Sequence, residues 1–171
     1  MKILYTAFFL TLFSWGELLL WKNGLHFPLT GLLLFYIAGA FSWKLALAGG
    51  ILSGCALDFV AGNVLPIILL QGTAGILLSL FWLYKVKSDS VFLHIFPGGI
   101  LIIFAWCCAC AEYGASFWKW GAVYPVAMLI LSILPGVLFL PVMILLLDTL
   151  NENLGIPLYS NVKLHLRERE F

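Results

Sequence analysis

Residues 29–61 have the sequence LTGLLLFYIAGAFSWKLALAGGILSGCALDFVA, an apolar stretch whose single basic residue is Lys44. As one helix this stretch would be about 50 Å long at ~1.5 Å per residue, whereas the hydrocarbon core of a bilayer is about 30 Å thick. We therefore predict a break at Ser42-Trp43-Lys44, with a short helix on each side and Pro28 at the start of the first. Short helices can be accommodated by local thinning of the bilayer, by snorkelling of Lys44 or by burial inside a bundle.

The whole chain has the composition of a membrane protein. Of its 171 residues, 63% are hydrophobic and 10% are charged, with a mean hydropathy of +1.08, whereas soluble domains have roughly 45–50% apolar and about 25% charged residues. Four more apolar stretches flank the split pair, at residues 3–21, 65–84, 91–111 and about 123–147. Because continuous apolar runs cross lipid as helices, we predict an all-α integral membrane protein with six transmembrane helices.

The six predicted spans place both ends of the chain on one side of the membrane. Residues 1–150 form the predicted transmembrane domain, and residues 151–171 form a predicted cytoplasmic tail. Seven of the nine Lys and Arg fall on the side of the termini: Lys2, Lys44, Lys85, Lys87, Lys163, Arg167 and Arg169, with Lys22 and Lys119 opposite. The positive-inside rule then predicts cytoplasmic termini. A formal net charge of +1 gives no reason to expect a nucleic-acid partner.

Four acidic residues fall at or near membrane depth, where an ionised side chain costs several kcal/mol. Glu17, Glu112 and Asp148 are near predicted helix ends, so we expect their carboxylates to reach headgroups or water. Asp58 lies in the third helix, within a pattern of four-residue spacing that places Gly50, Gly54, Asp58 and Gly62 on one face.

Small residues at this spacing allow two helices to pack closely. We interpret this face as a helix-packing and partner-binding site and expect Asp58 to accept hydrogen bonds from the backbone of the Gly62-Asn63 turn. Two roles stay open for Asp58, a turn-capping carboxylate or a direct functional group.

Other polar and reactive residues do not form a recognisable chemical site. His94 has no second His or carboxylate at i+3 or i+4, and the group Cys107, Cys108 and Cys110 lacks the spacing of a four-ligand metal site. Phosphate loops, HExxH and GxSxG motifs are absent from the sequence. We therefore expect a non-enzymatic scaffold or binding subunit with no metal and no cofactor. Gln71, Gly72 and Gly75 are expected to serve helix packing.

Residues 48–65, AGGILSGCALDFVAGNVL, resemble the signature of the rod shape-determining protein family MreD. That family carries a G-x(3)-G-x(3)-D-x(3)-G segment followed by a turn and another apolar helix, which Gly50, Gly54, Asp58 and Gly62 match position by position. The resemblance implies a bundle like the substrate-binding subunits of energy-coupling-factor vitamin transporters. It also implies a subunit of the bacterial cell-elongation machinery, located in the inner membrane.

The implied partners are the bitopic protein MreC and, through it, the RodA glycosyltransferase, a penicillin-binding transpeptidase and MreB. On this interpretation, Gly54→Leu is expected to disrupt assembly. The alternative is a small-molecule binder, a vitamin-capturing transporter subunit of the related fold. Such subunits resemble one another in an alanine-x-x-x-alanine motif on the first helix, where this chain has only Ala7 with Thr11.

Overall fold

The computed structural model describes residues 2–86, 91–117 and 123–160, and in these ranges the chain is helical with no β-strand. Six α-helices follow one another in the order α1 Lys2–Lys22, α2 Leu29–Ala40, α3 Trp43–Ala61, α4 Ile67–Lys85, α5 Ile95–Phe117 and α6 Val123–Asn153. A short 3-10 turn at Val91–His94 precedes α5. Five of the predicted orientation markers lie outside the described residues: Lys87, Lys119, Lys163, Arg167 and Arg169.

The predicted break between α2 and α3 is confirmed. Ser42 has an extended backbone, and its hydroxyl accepts a hydrogen bond from the backbone N–H of Leu45 at 3.2 Å. This is the usual geometry of an N-cap, in which a serine oxygen satisfies one of the unpaired N–H groups of the first helical turn. The chain therefore reverses at Ser42 and starts a new helix at Trp43.

Five helices are long and apolar enough to cross a membrane, and α2 is the shorter apolar helix among the described residues. At 12 residues, α2 is only about 18 Å long. Every residue of α2 except Leu29 is buried, because α1, α3, α4 and α5 all pack around it. Of the three ways to accommodate a short helix, this structure uses burial.

Helices α2 and α4 approach each other closely in the core. A Cβ atom added at Gly75 would collide with the backbone carbonyl oxygen of Gly31. Only glycine allows two helix backbones to lie this close, and close packing is one of the forces that drive helix association in lipid. Gly75 therefore has the packing role that the sequence predicted for it.

The last helix, α6, continues beyond the predicted end at residue 147 to Asn153 and passes through Pro135 and Pro141. Asp148 consequently lies inside the helix. After a turn at Gly155, residues 156–160 return to the bundle, where Ile156 and Tyr159 are buried. This first part of the predicted tail is therefore packed, and residues 161–171 lie outside the described part of the chain.

Candidate packing and partner-binding site

Asp58, in the last turn of α3, binds the amino end of the next helix. Its Oδ1 atom accepts hydrogen bonds from the backbone N–H of Ile68 at 3.0 Å and the side-chain amide of Asn63 at 2.7 Å. Its Oδ2 atom accepts from the backbone N–H of Leu69 at 3.0 Å. With 7% of its surface exposed, this carboxylate is enclosed by the groups it binds.

These hydrogen bonds correct the predicted partners of Asp58. The backbone N–H groups of Gly62 and Asn63 donate to backbone carbonyls of the last turn of α3, so they do not bind the carboxylate. The backbone N–H groups of the first turn of α4 bind the carboxylate instead. They are available because α4 begins after Pro66, which provides no side-chain cap. An acidic group at a helix amino end also interacts favourably with the helix dipole.

The three glycines of the predicted site have different surroundings. A Cβ atom at Gly54 would lie 2.8 Å from the Cα atom of Leu69, so α3 and α4 are in backbone contact there. A Cβ atom at Gly50 would lie 3.1 Å from Cδ1 of Leu34 on α2. Gly62 ends α3 with a left-handed φ of 70°, a conformation that glycine adopts without steric cost. The face that carries Gly50 and Gly54 is therefore in contact with α2 and α4 of the same chain.

Glu17 binds the amino end of α2, in this case through one carboxylate oxygen, while its Oε1 atom has no hydrogen-bond partner among the described residues. Its Oε2 atom accepts a hydrogen bond of 2.7 Å from the backbone N–H of Thr30. The prediction that Glu17 reaches headgroups or water is wrong, since the residue is completely buried. The turn after α1 folds α2 back against Glu17, and Pro28 at the start of α2 provides no side-chain cap of its own.

Glu112 connects α5 to the loop between α3 and α4. Its two carboxylate oxygens accept hydrogen bonds from the backbone N–H groups of Val64 at 2.7 Å and Leu65 at 3.1 Å. These N–H groups lie between the end of α3 and the start of α4, where no helical partner is present for them. Three acids near the carboxyl ends of α1, α3 and α5 thus satisfy backbone donors of other segments.

Asp148 connects α6, α2 and the returning C-terminal segment. Its Oδ1 atom accepts from the hydroxyl of Tyr36 at 2.6 Å and from the backbone N–H of Tyr159 at 2.9 Å, and its Oδ2 atom accepts from the backbone N–H of Ser160 at 3.2 Å. Asn151 donates its side-chain amide to the Tyr36 hydroxyl at 2.9 Å. The fourth membrane-depth acid therefore also binds backbone N–H groups.

His94 belongs to the same cluster. Its Nε2 atom lies 3.1 Å from the hydroxyl of Tyr159, and its ring packs against Phe35 and Trp82. Burial, together with the nearby Asp148 carboxylate, raises the pKa of the Tyr159 hydroxyl above its ordinary value. This phenol therefore stays protonated at neutral pH. The contact between His94 and the Tyr159 hydroxyl helps to hold Tyr159 in place.

Two of the four segments that these acids bind, the first turns of α2 and α4, could have been suspected from one sequence signal. Both α2 and α4 begin directly after a proline and lack Ser, Thr, Asp or Asn at the cap position. The unpaired N–H groups of such a helix need an acceptor from elsewhere in the chain. Glu17 and Asp58, each in the preceding helix, are the nearest acids available in the sequence.

The remaining candidates do not assemble into a metal or nucleophile site in the described part of the chain. No group of three or more His, Cys, Asp or Glu is placed to hold a metal ion there. The cysteines are free thiols; Cys107 is exposed, and Cys108 and Cys110 are partly exposed. Gln71 is buried, and neither polar atom of its side chain, Nε2 or Oε1, has a hydrogen-bond partner among the described residues.

The fold and the site together define a helical, multi-pass membrane protein whose acidic residues hold helix ends and loops. We compared the chain with known protein families, with curated proteins and with solved structures. No family model, no curated protein and no solved structure matches it.

Proposed function

We propose that this chain is a non-enzymatic subunit of the bacterial cell-elongation machinery, similar to MreD, which organises peptidoglycan synthesis by binding MreC through membrane helices. The observation that carries the proposal is the segment from Gly50 to Gly62, in which Asp58 links α3 to the first turn of α4. In this role the segment shapes the bundle, and the bundle offers its outer helix faces to partners.

The hydrogen bonds of the four membrane-depth acids support a structural role for this subunit. Each of Glu17, Asp58, Glu112 and Asp148 accepts at least one backbone N–H from another segment. The buried carboxylates among them, Glu17 and Asp58, serve to hold the fold, because breaking their hydrogen bonds would leave buried donors unpaired. A bundle held from within can bind other proteins without rearranging.

We also propose for this chain the fold, the membrane orientation and the partners that its resemblance to MreD implies. The bundle would have the fold of energy-coupling-factor substrate-binding subunits, with both termini in the cytoplasm of a bacterium and the helices in its inner membrane. MreC would bind directly, and RodA, its transpeptidase and MreB would be reached through MreC. Charged residues of the partners would remain outside the lipid, where they cost little.

Copurification with MreC tests the proposal. The tagged full-length chain is expressed with MreC of the same organism, extracted in mild detergent and purified on the tag, with an unrelated tagged six-helix protein as control. We expect MreC to elute with the chain and not with the control. Equal amounts of MreC in both samples, or a vitamin retained by the purified chain in mass spectrometry, would contradict the proposal, the latter in favour of a transporter subunit.

Gly54→Leu is a poor variant for this test. Because Gly54 touches the backbone of Leu69, a leucine there would separate α3 from α4 and disturb the bundle itself. A loss of MreC binding would then have two explanations. Variants on outer surfaces, where side chains can be enlarged without entering the core, are needed to locate a partner.

A further inference from the structure

Several polar atoms stay unpaired inside the bundle near the amino ends of α2 and α4. Glu17 uses its Oε2 atom for the backbone N–H of Thr30, but its Oε1 atom has no hydrogen-bond partner among the described residues. The same is true of the Thr30 hydroxyl and of both polar atoms of the Gln71 side chain. Each of these three residues has at most 1% of its surface exposed. Buried polar groups are nearly always paired, so this group of unpaired atoms requires an explanation.

The packing of α4 on α2 directs the Gln71 side chain toward the first turn of α2. Gln71 and Gly75 are four residues apart and share a helix face, and at Gly75 this face meets the backbone of Gly31. Further along both helices, Gly39 lies beside Ser79, so α2 and α4 run in the same direction. Side chains tilt toward the amino end of their own helix. The amide of Gln71 is therefore directed to the level at which α2 begins.

The unpaired atoms at this level include three oxygens of different kinds. Glu17 provides a carboxylate oxygen, Thr30 a hydroxyl oxygen and Gln71 an amide oxygen. Oxygens of carboxylates, amides and carbonyls are the ligands that hard cations take in proteins. The described residues contain no group of His, Cys, Asp and Glu that could hold a metal ion, so a site of this kind, with one carboxylate and two neutral oxygens, belongs to a different class.

The charge balance of this end of the bundle favours a monovalent cation. Glu17 and Asp58 are both buried, and the charge that acts on Glu17 is that of Asp58, which is also negative. The amino ends of α2 and α4, to which these acids bind, each contribute roughly half a positive charge. About one negative charge is therefore left over in the interior, where an uncompensated charge is costly.

The space between the unpaired atoms restricts the size of the cation. These atoms have almost no accessible surface, so a water molecule does not fit beside them. A dehydrated sodium ion is smaller than a water molecule, whereas a potassium ion is about as large as one. A proton on the Oε1 atom of Glu17 would also fit, but it needs a single acceptor and would leave the other polar atoms unpaired.

We propose that Glu17, Thr30 and Gln71 bind one sodium ion, which joins α1, α2 and α4 at this end of the bundle. The Oε1 atom of Glu17 provides the negative charge that balances the ion. The hydroxyl of Thr30 and the amide oxygen of Gln71 provide neutral ligands. The site concerns the stability of the bundle and does not depend on binding to MreC. Because the ion binds the folded chain, it stabilises the fold by mass action.

Thermal unfolding in different salts tests the proposal. The full-length chain is purified in detergent without sodium, and its unfolding temperature is measured in NaCl, KCl and choline chloride at equal ionic strength. We expect NaCl to raise the unfolding temperature in a saturable manner, because a ligand that binds the folded state alone stabilises it in this way. KCl should have a smaller effect, and choline chloride none. Binding of radioactive sodium to the purified chain should saturate at one ion per chain.

Two variants remove a ligand oxygen at nearly constant side-chain volume. Gln71→Leu and Thr30→Val each delete an oxygen that has no hydrogen-bond partner among the described residues, so both should fold in buffer without sodium. Both should lose the response of the unfolding temperature to NaCl. The matched control is Ser79→Ala, since Ser79 is also a buried residue of α4 with an unpaired hydroxyl but lies closer to the carboxyl end of that helix. This control should respond to NaCl as the wild type does.

Equal unfolding temperatures in the three salts would overturn the sodium site, as would a response to NaCl that both Gln71→Leu and Thr30→Val retain. A stability that changes with pH but not with sodium would assign a proton to Glu17 and would also overturn it. If both variants fail to fold, Glu17→Gln decides the question, because its amide oxygen can still accept from the backbone N–H of Thr30 while the charge is lost. We expect no sodium binding by Glu17→Gln, and binding equal to that of the wild type would contradict the proposal.

Discussion

At the scale of single residues, the main finding is that membrane-depth carboxylates are paired with backbone N–H groups. Asp58 accepts from Ile68 and Leu69, and Glu112 accepts from Val64 and Leu65. Inside a lipid-embedded bundle no water is available to the donors that Asp58 binds, so an acceptor within the protein is required there, whereas the donors that Glu112 binds are exposed. An acid suits this purpose, because one carboxylate accepts several hydrogen bonds at once.

Asp58→Asn should lower the stability of the bundle. The amide keeps one acceptor oxygen but places an NH₂ group against backbone donors, so at least one buried N–H loses its partner at a cost of about 1–3 kcal/mol. The comparison variant is Glu112→Gln, whose hydrogen bonds are exposed and whose loss water at the surface can offset. Thermal unfolding of both variants in detergent measures the difference. An equal or smaller shift for Asp58→Asn would contradict the capping role.

Gly75→Ala should be among the most damaging single-methyl substitutions in the chain. The new Cβ atom would overlap with the carbonyl oxygen of Gly31, a backbone atom that cannot move aside without separating α2 from α4. We expect a loss of roughly 1–3 kcal/mol or more. Gly99→Ala on α5 is the control, because its Cβ would lie at an ordinary 3.4 Å from a side-chain carbon of Val137. Similar unfolding temperatures for the two variants would contradict this account of the α2–α4 contact.

The sequence allowed part of this residue-level description to be predicted. The spacing of Gly50, Gly54 and Asp58 predicted that they share a helix face, because that relation depends on helical geometry alone. The partners of Asp58 were predicted wrongly, since they lie ten and eleven residues away on another helix. Such hydrogen bonds depend on how two helices are placed, which local spacing does not encode.

At the scale of elements, α2 and the C-terminal segment depart most from an ordinary spanning helix. The short α2 is enclosed by its neighbours, and residues 156–160 fold back so that the ring of Tyr159 packs against Gly39 and stacks on Tyr36. The break at Ser42 could be predicted because a single long helix would exceed the membrane. The return of residues 156–160 to the bundle could not be predicted, because it depends on tertiary contacts of Tyr159 with Asp148 and His94.

Tyr159 is expected to hold the C-terminal segment on the bundle. Tyr159→Ala removes a ring with 1% of its surface exposed and should cost about 3–5 kcal/mol. Tyr159→Phe keeps the ring and removes only the hydroxyl next to His94, at a cost of about 1 kcal/mol. Limited proteolysis between residues 154 and 160 reports the release of the segment. Cleavage that is equally slow in the alanine variant and the wild type would contradict this role.

At the scale of the whole molecule, the described part of the chain consists of five long helices and one short, buried helix, α2. We infer that α2 crosses the membrane together with the non-helical residues that lead into it, of which Phe27 and Pro28 are buried. Non-helical backbone at membrane depth is tolerated when protein surrounds it. If α2 crosses, the number of spans is even and both ends of the chain lie on one side, which the distribution of Lys and Arg predicts to be the cytoplasm.

Protease accessibility of terminal tags tests this central claim most directly. Tags are placed at the amino end, at the carboxyl end and, as an internal control, in the turn at Asn23-Gly24 after α1. In spheroplasts we expect external protease to cleave the tag in the turn and to spare both terminal tags, with the reverse result in inverted membrane vesicles. Cleavage of either terminal tag in intact spheroplasts would contradict a six-span bundle with cytoplasmic ends.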